Sequence, residues 1–90
     1  MQPASPPEPV RLVVPDLGLG GLRMVLSLWL IPQGRRVLEG DRVVELAAGG
    51  VTVDLPAPVA GRCLRQLVDE DADVVPGMVL AEFLAEDEPS

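Results

Sequence analysis

Arg42-Val43-Val44-Glu45-Leu46-Ala47-Ala48-Gly49-Gly50-Val51-Thr52-Val53-Asp54-Leu55 reads as two apolar runs joined through a Gly-Gly pair. Such a pair supplies the positive-φ positions a tight hairpin turn demands, which a residue with a Cβ resists. In the second run Val51, Val53 and Leu55 fall on one face and Thr52 and Asp54 on the other, the period of two of a half-buried strand. The stretch therefore predicts a β-hairpin, with strands over 42–47 and 51–55.

On either side of the hairpin the pattern continues. Prolines at 15, 32, 56, 58 and 76 and nine glycines between 18 and 77 break the chain into short runs that hold fourteen valines. Short valine-rich runs between regular turn signals predict an all-β sandwich or barrel, with further strands over 10–14, 24–31, 61–68 and 79–84. Val79 to Glu86 has the alanine, leucine and glutamate of a short helix, but it follows a Pro-Gly turn and is too short to sustain one, so a strand is expected there. A shift of 37 residues lays Val37-Leu38-Glu39-Gly40 over Val74-Val75-Pro76-Gly77, Val43, Glu45 and Leu46 over Leu80, Glu82 and Phe83, and Ile31 over Val68. One such repeat is too short to bury its own apolar face, so two copies are expected to pair about a pseudo-twofold axis.

Composition limits the chemistry. The 90 residues carry seven cations against fourteen acids, a net charge of −7, and every cation is an arginine. With no lysine and no histidine, the chain has no Schiff-base lysine, no histidine acid–base pair and no histidine metal ligand. The charge argues against a nucleic-acid binder, which needs dense basic surface. Residues 46–90 hold nine of the acids and two of the arginines, so the second half repels acidic partners and attracts basic ones. Cys63 is the only cysteine, and its expected place is a buried strand position.

Met1 to Pro9 has neither the basic start nor the apolar run of a secretory signal, and Met24 to Gly34 is shorter than a membrane helix requires. A cytoplasmic location with no membrane association is expected. Residues 1–9, with four prolines, read as a disordered leader or linker end, 10–85 as the folded domain, and 86–90 as an acidic disordered tail.

Several stretches, taken in order, resemble the lipoyl domain of the acyltransferase component of 2-oxo acid dehydrogenase complexes. Leu12-Val13-Val14-Pro15-Asp16-Leu17-Gly18 resembles that family's opening strand and Pro-x-Leu-Gly turn, and Leu28-Trp29-Leu30-Ile31-Pro32-Gln33-Gly34-Arg35-Arg36-Val37 its tryptophan strand and following turn. Leu38-Glu39-Gly40-Asp41-Arg42-Val43-Val44-Glu45-Leu46 is similar to the x-x-Gly-Asp-x-Leu-x-Glu stretch. Thr52 to Gly61 is similar to the strand and Ala-Pro-x-x-Gly corner that come next, and Val74 to Ala81 to the last turn and strand. The resemblance implies a barrel-sandwich hybrid, a flattened β-barrel of two antiparallel sheets with a pseudo-twofold repeat. It also implies a carrier role, in which a lysine at one hairpin tip holds lipoate and ferries acyl groups.

The tip of that family usually reads Glu-Thr-Asp-Lys-Ala, and the same register here reads Ala47-Ala48-Gly49-Gly50-Val51. Gly50 occupies the attachment-lysine position and Gly49 that of the preceding aspartate, so attachment of lipoate or biotin through a lysine amide is excluded and no cofactor is expected. The Gly49-Gly50 pair then either only makes the turn or presents exposed backbone to a partner. The glycine-rich loop carrying Leu17, Leu19 and Leu22 corresponds to a loop that in lipoyl domains lies near the modified turn and helps partner enzymes recognise the domain. Its leucines either fold back onto the core or form an exposed apolar patch. Arg23 stands where a dinucleotide fingerprint needs its third glycine, which speaks against phosphate binding.

Asp69-Glu70-Asp71 with Asp73 lacks the glycine and closing glutamate of a calcium loop and reads as a solvated acidic turn. Trp29 is expected to pack on its strand rather than serve a ligand. The expectation is a non-enzymatic, non-carrying lipoyl-like module with a protein partner, dehydrogenase-complex components being the implied candidates. The alternative is a lipoyl-domain piece of an acyltransferase component whose catalytic domain lies outside this sequence.

Overall fold

The computed structural model describes residues 8–86; the expected leader and tail fall mostly outside that range. Eight strands follow one another without a helix among the described residues: β1 (Val10–Val13), β2 (Met24–Trp29), β3 (Arg36–Val37), β4 (Arg42–Ala48), β5 (Val51–Pro56), β6 (Gly61–Gln66), β7 (Asp73–Val74) and β8 (Val79–Ala85). They form two four-stranded sheets, ordered β1-β8-β6-β3 and β5-β4-β2-β7, and every pairing is antiparallel. The inward faces of both sheets meet in one core, where Leu26, Leu46, Leu80 and Phe83 are fully buried. Each such side chain contributes ~1.5–3 kcal/mol relative to exposure.

The repeat read from the sequence is present in detail. β2, β3 and β4 move onto β6, β7 and β8 by the same 37 residues at both ends, and the two sheets list equivalent strands in equivalent order. Even the irregularities repeat: the register slips between Leu26 and Leu28 in one sheet and between Cys63 and Arg65 in the other. Turn hydrogen bonds follow the same rule. Asp41 N–H donates to Leu38 O at 3.0 Å, and Met78 N–H to Val75 O at 3.1 Å.

β1, β4, β5 and β8 match the sequence expectation to within one residue, and the larger differences lie elsewhere. β3 and β7 were not expected, because two residues are too few to show a period. β2 and β6 stop at Trp29 and Gln66, short of Ile31 and Val68. The next residue still bonds within its own repeat, Leu30 N–H donating to Val43 O and Leu67 N–H to Leu80 O, both at 2.9 Å, while Ile31 O and Val68 O accept from the Gln66 and Trp29 side chains of the other repeat. Glu86, placed by the sequence in the tail, is fixed: its N–H donates to Ala60 O, and its carboxylate accepts from Arg36 at 2.6 Å and Arg62 at 3.3 Å.

Candidate functional site

The β4–β5 hairpin forms as expected, with a tighter turn. β4 runs on to Ala48, which pairs with Val51, so Gly49 and Gly50 alone make the two-residue turn. Their φ angles of 55° and 83° are both left-handed, the combination of a type I′ turn, which matches the twist of its strands. Val53 and Leu55 point inward as the alternation predicts, while Val51, at the tip, is half exposed.

The leucine loop comes to this tip. Leu22 lies so close to Gly49 that a Cβ there would sit 3.1 Å from the Leu22 Cδ1. The three leucines do not share one environment. Leu17 and Leu19 pack partly buried against the core, and Leu22 remains 55% exposed. The loop is shaped locally: the Asp16 carboxylate accepts the Gly18 N–H at 2.9 Å, and Gly18 and Gly20 take φ of 68° and 64°. Across the sheet, Ala48 pairs with Met24 and Met24 with Val74, which brings the turn after β7 to the same end. Leu17, Leu19, Leu22, Met24, Val75 and Pro76 then line a groove of about 260 Å³. Its rim carries one ion pair, Arg23–Asp73 at 2.6 Å, with both side chains largely exposed and so of little energetic weight. This second wall, from Val74 to Pro76, reads in the sequence as a turn, laid over 37–39 by the repeat, but not as part of the site.

Chemically the tip is inert. Ala47 to Val51 offers only hydrogen and hydrocarbon side chains, and no amine exists elsewhere on a side chain. Cys63 is fully buried, and burial pushes its thiol pKa up against a smaller opposing hydrogen bond from the Gly34 backbone. A thiol held protonated and out of solvent is no nucleophile. Among the described residues no group of three His, Cys, Asp or Glu side chains is placed to hold a metal ion. Nor is any helix among them long and apolar enough to cross a membrane.

A larger groove, about 590 Å³, lies at the waist between Trp29, Ile31, Pro32, Gln66 and Glu70. It is a poorer candidate despite its size, because its polar walls are already spent on each other. The Trp29 indole N–H donates to Val68 O, Gln66 Nε2 to Ile31 O, and Glu70 accepts the Trp29 backbone N–H. Trp29 is thus a packed, half-buried strand residue, as expected, and Glu70 belongs to this clasp rather than to a merely solvated turn.

No family model matches the chain. Over 81 residues it is 30% identical to the dihydrolipoyllysine-residue acetyltransferase component of the pyruvate dehydrogenase complex of Corynebacterium glutamicum, covering 90% of this chain and 12% of that protein. Over 74 residues it is 32% identical to the component of the same name from Staphylococcus epidermidis, covering 82% of this chain and 17% of that protein. The chain therefore spans under a fifth of either relative. Among solved structures it superposes, with a TM-score of 0.72 and 24% identity, on part of a single-chain, multi-domain long-chain acyl-CoA carboxylase, covering 97% of this chain and 8% of that one. That likeness establishes the fold, the flattened sandwich of two antiparallel sheets.

Proposed function

The chain is a lipoyl-type domain, homologous to a segment of the acyltransferase components of 2-oxo acid dehydrogenase complexes, and on that premise we propose that it is a non-carrying member that serves as a protein-interaction or assembly module. One observation carries this reading: the hairpin that would present the lipoyl-lysine is complete in strands, register and turn, while the chain contains no lysine at all. Retaining the shape without the amine leaves binding, not transfer, as the use of the tip. Gly50 stands at the attachment position and Gly49 beside it, so no lipoate or biotin is carried through a lysine amide. No catalytic role is assigned to any residue, since a nucleophile–base pair is not available.

The test is association without loading. The full 90-residue chain is added to purified components of a 2-oxo acid dehydrogenase complex from the same organism, and sedimentation and intact mass are read together. Comigration with a component and no mass gained supports the proposal. No association with any component overturns it. The short coverage of the relatives also fits the alternative, a lipoyl-type piece of an acyltransferase component whose catalytic domain lies in further sequence.

A further inference from the structure

The tip groove has a one-sided electrostatic setting. Segment 69–74 runs antiparallel beside β2 from the waist to the tip: Asp71 N–H donates to Leu26 O, Leu26 N–H to Ala72 O, and Asp73 pairs with Val25. This segment carries Asp69, Glu70, Asp71 and Asp73, all exposed. Arg23, the only cation on the neighbouring loop 14–23, and Asp73 pair with each other and cancel, so the charge of the strip rests on Asp69, Glu70 and Asp71. The other arginines lie on or beside strands away from this edge, several paired with Asp54, Glu82 or Glu86. An apolar groove whose mouth is formed by Leu22, 55% exposed, and Val75, 58% exposed, therefore opens onto a strip of negative charge.

We infer that this groove and strip together dock a basic protein segment, one that places aliphatic side chains between Leu22 and Val75 and arginine or lysine along Asp69 and Asp71. The apolar mouth supplies anchoring by burial, and the strip supplies orientation and on-rate. An acidic segment is repelled by the strip, and a nucleic acid by the same sign of charge. The inference rests on the reading of the chain as a binding module and names the chemistry of its partner.

The probe is a pair of short synthetic peptides with the same leucine spacing, one bearing arginine and the other glutamate between the leucines. Each is titrated into the full chain and followed by backbone amide chemical shifts. The arginine peptide is expected to shift the amides of 16–23, 49–51 and 69–76 and to weaken with added salt, and the glutamate peptide to leave them unmoved. Leu22→Ser with Val75→Ser, both at exposed positions, is expected to weaken binding about tenfold. Asp69→Asn with Asp71→Asn is expected to weaken it about threefold and to flatten the salt dependence. Shifts scattered over Glu39, Asp41 and Glu82, or equal binding of both peptides, would overturn the inference. So would a concentration-dependent dimer lost in the Leu22→Ser, Val75→Ser variant, which would give the groove to a second copy. If a dehydrogenase component binds that variant as well as it binds the unaltered chain, the groove inference fails while the module reading stands.

Discussion

Trp29 and Gln66 occupy the same place in the two repeats and make the same pair of hydrogen bonds with unlike chemistry. The Trp29 indole N–H donates to Val68 O at 2.9 Å, and the Gln66 side-chain amide to Ile31 O at 2.8 Å. The Trp29 backbone N–H is capped by the Glu70 carboxylate at 2.9 Å, and the Gln66 backbone N–H by the Gln33 side-chain oxygen at 2.9 Å. Donors and acceptors alike are offset by 37 residues, so the waist is closed by two equivalent latches. Trp29→Phe and Gln66→Leu should each leave one carbonyl unpaired and cost about 1 kcal/mol. Glu70→Gln should be near neutral, because Gln33 already makes that bond with an amide. Urea titrations decide this: a cost at Trp29 with none at Gln66 would mean that the two latches are not equivalent.

Asp71 is the equivalent of Gly34. Gly34 N–H donates to Cys63 O and Asp71 N–H to Leu26 O, both at 2.7 Å, and both residues have positive φ, 92° and 71°. Asp71 is the only non-glycine residue with positive φ among those described. A side chain there carries strain that glycine does not, partly offset by glycine's greater freedom when unfolded. Asp71→Gly should therefore raise stability by about 0.5–1 kcal/mol. A drop in the urea midpoint would contradict this.

The fold was legible where its physics is local. Alternation in 51–55 and the Gly49-Gly50 pair fix the hairpin, because both depend only on neighbouring residues. The offset of 37 already held β3 and β7, since Arg36–Val37 lands on Asp73–Val74, but two-residue strands show no period by themselves. The latches were not legible, because no residue scale places tryptophan and glutamine, or glutamate and glutamine, in one role. Of the site, only the family resemblance put the leucine loop near the turn, and Leu22 alone of its leucines comes up against Gly49. The fate of Leu17 and Leu19 depended on packing over Val74 to Pro76, which lie more than fifty residues away in sequence.

Gly61 and Gly50 separate crowding from conformation. A Cβ on Gly61 would overlap the Leu84 carbonyl oxygen, at the place where β6 pairs with the end of β8. That oxygen belongs to backbone and cannot swing aside, so Gly61→Ala should cost about 3 kcal/mol or more. At Gly50 a Cβ meets nothing within 4 Å, and only its φ of 83° resists, so Gly50→Ala should cost about 1 kcal/mol. Thermal melts of the two variants give the comparison, and equal losses would contradict it.

Glu86 ties the end of β8 to β3 and β6. The hydrogen bond from Arg36 holds its carboxyl below the usual carboxylate range, against desolvation that raises it, with a smaller lowering from the hydrogen bond to Arg62. A carboxyl depressed in the folded state contributes stability above its unfolded pKa, and that contribution is lost as pH falls through the folded value. Glu86→Gln should thus destabilise the domain at neutral pH and lose its effect in acid. A difference from the unaltered chain that persisted unchanged into acid would assign the loss to packing instead.

The central claim, a lipoyl-type hairpin kept without its amine, is tested most directly by intact mass after incubation with lipoate ligase. The unaltered chain should gain nothing, and Gly49→Asp with Gly50→Lys should gain one lipoyl group, since strands and turn already present that position. A lipoyl group on the unaltered chain, or none on the folded double variant, would contradict the account.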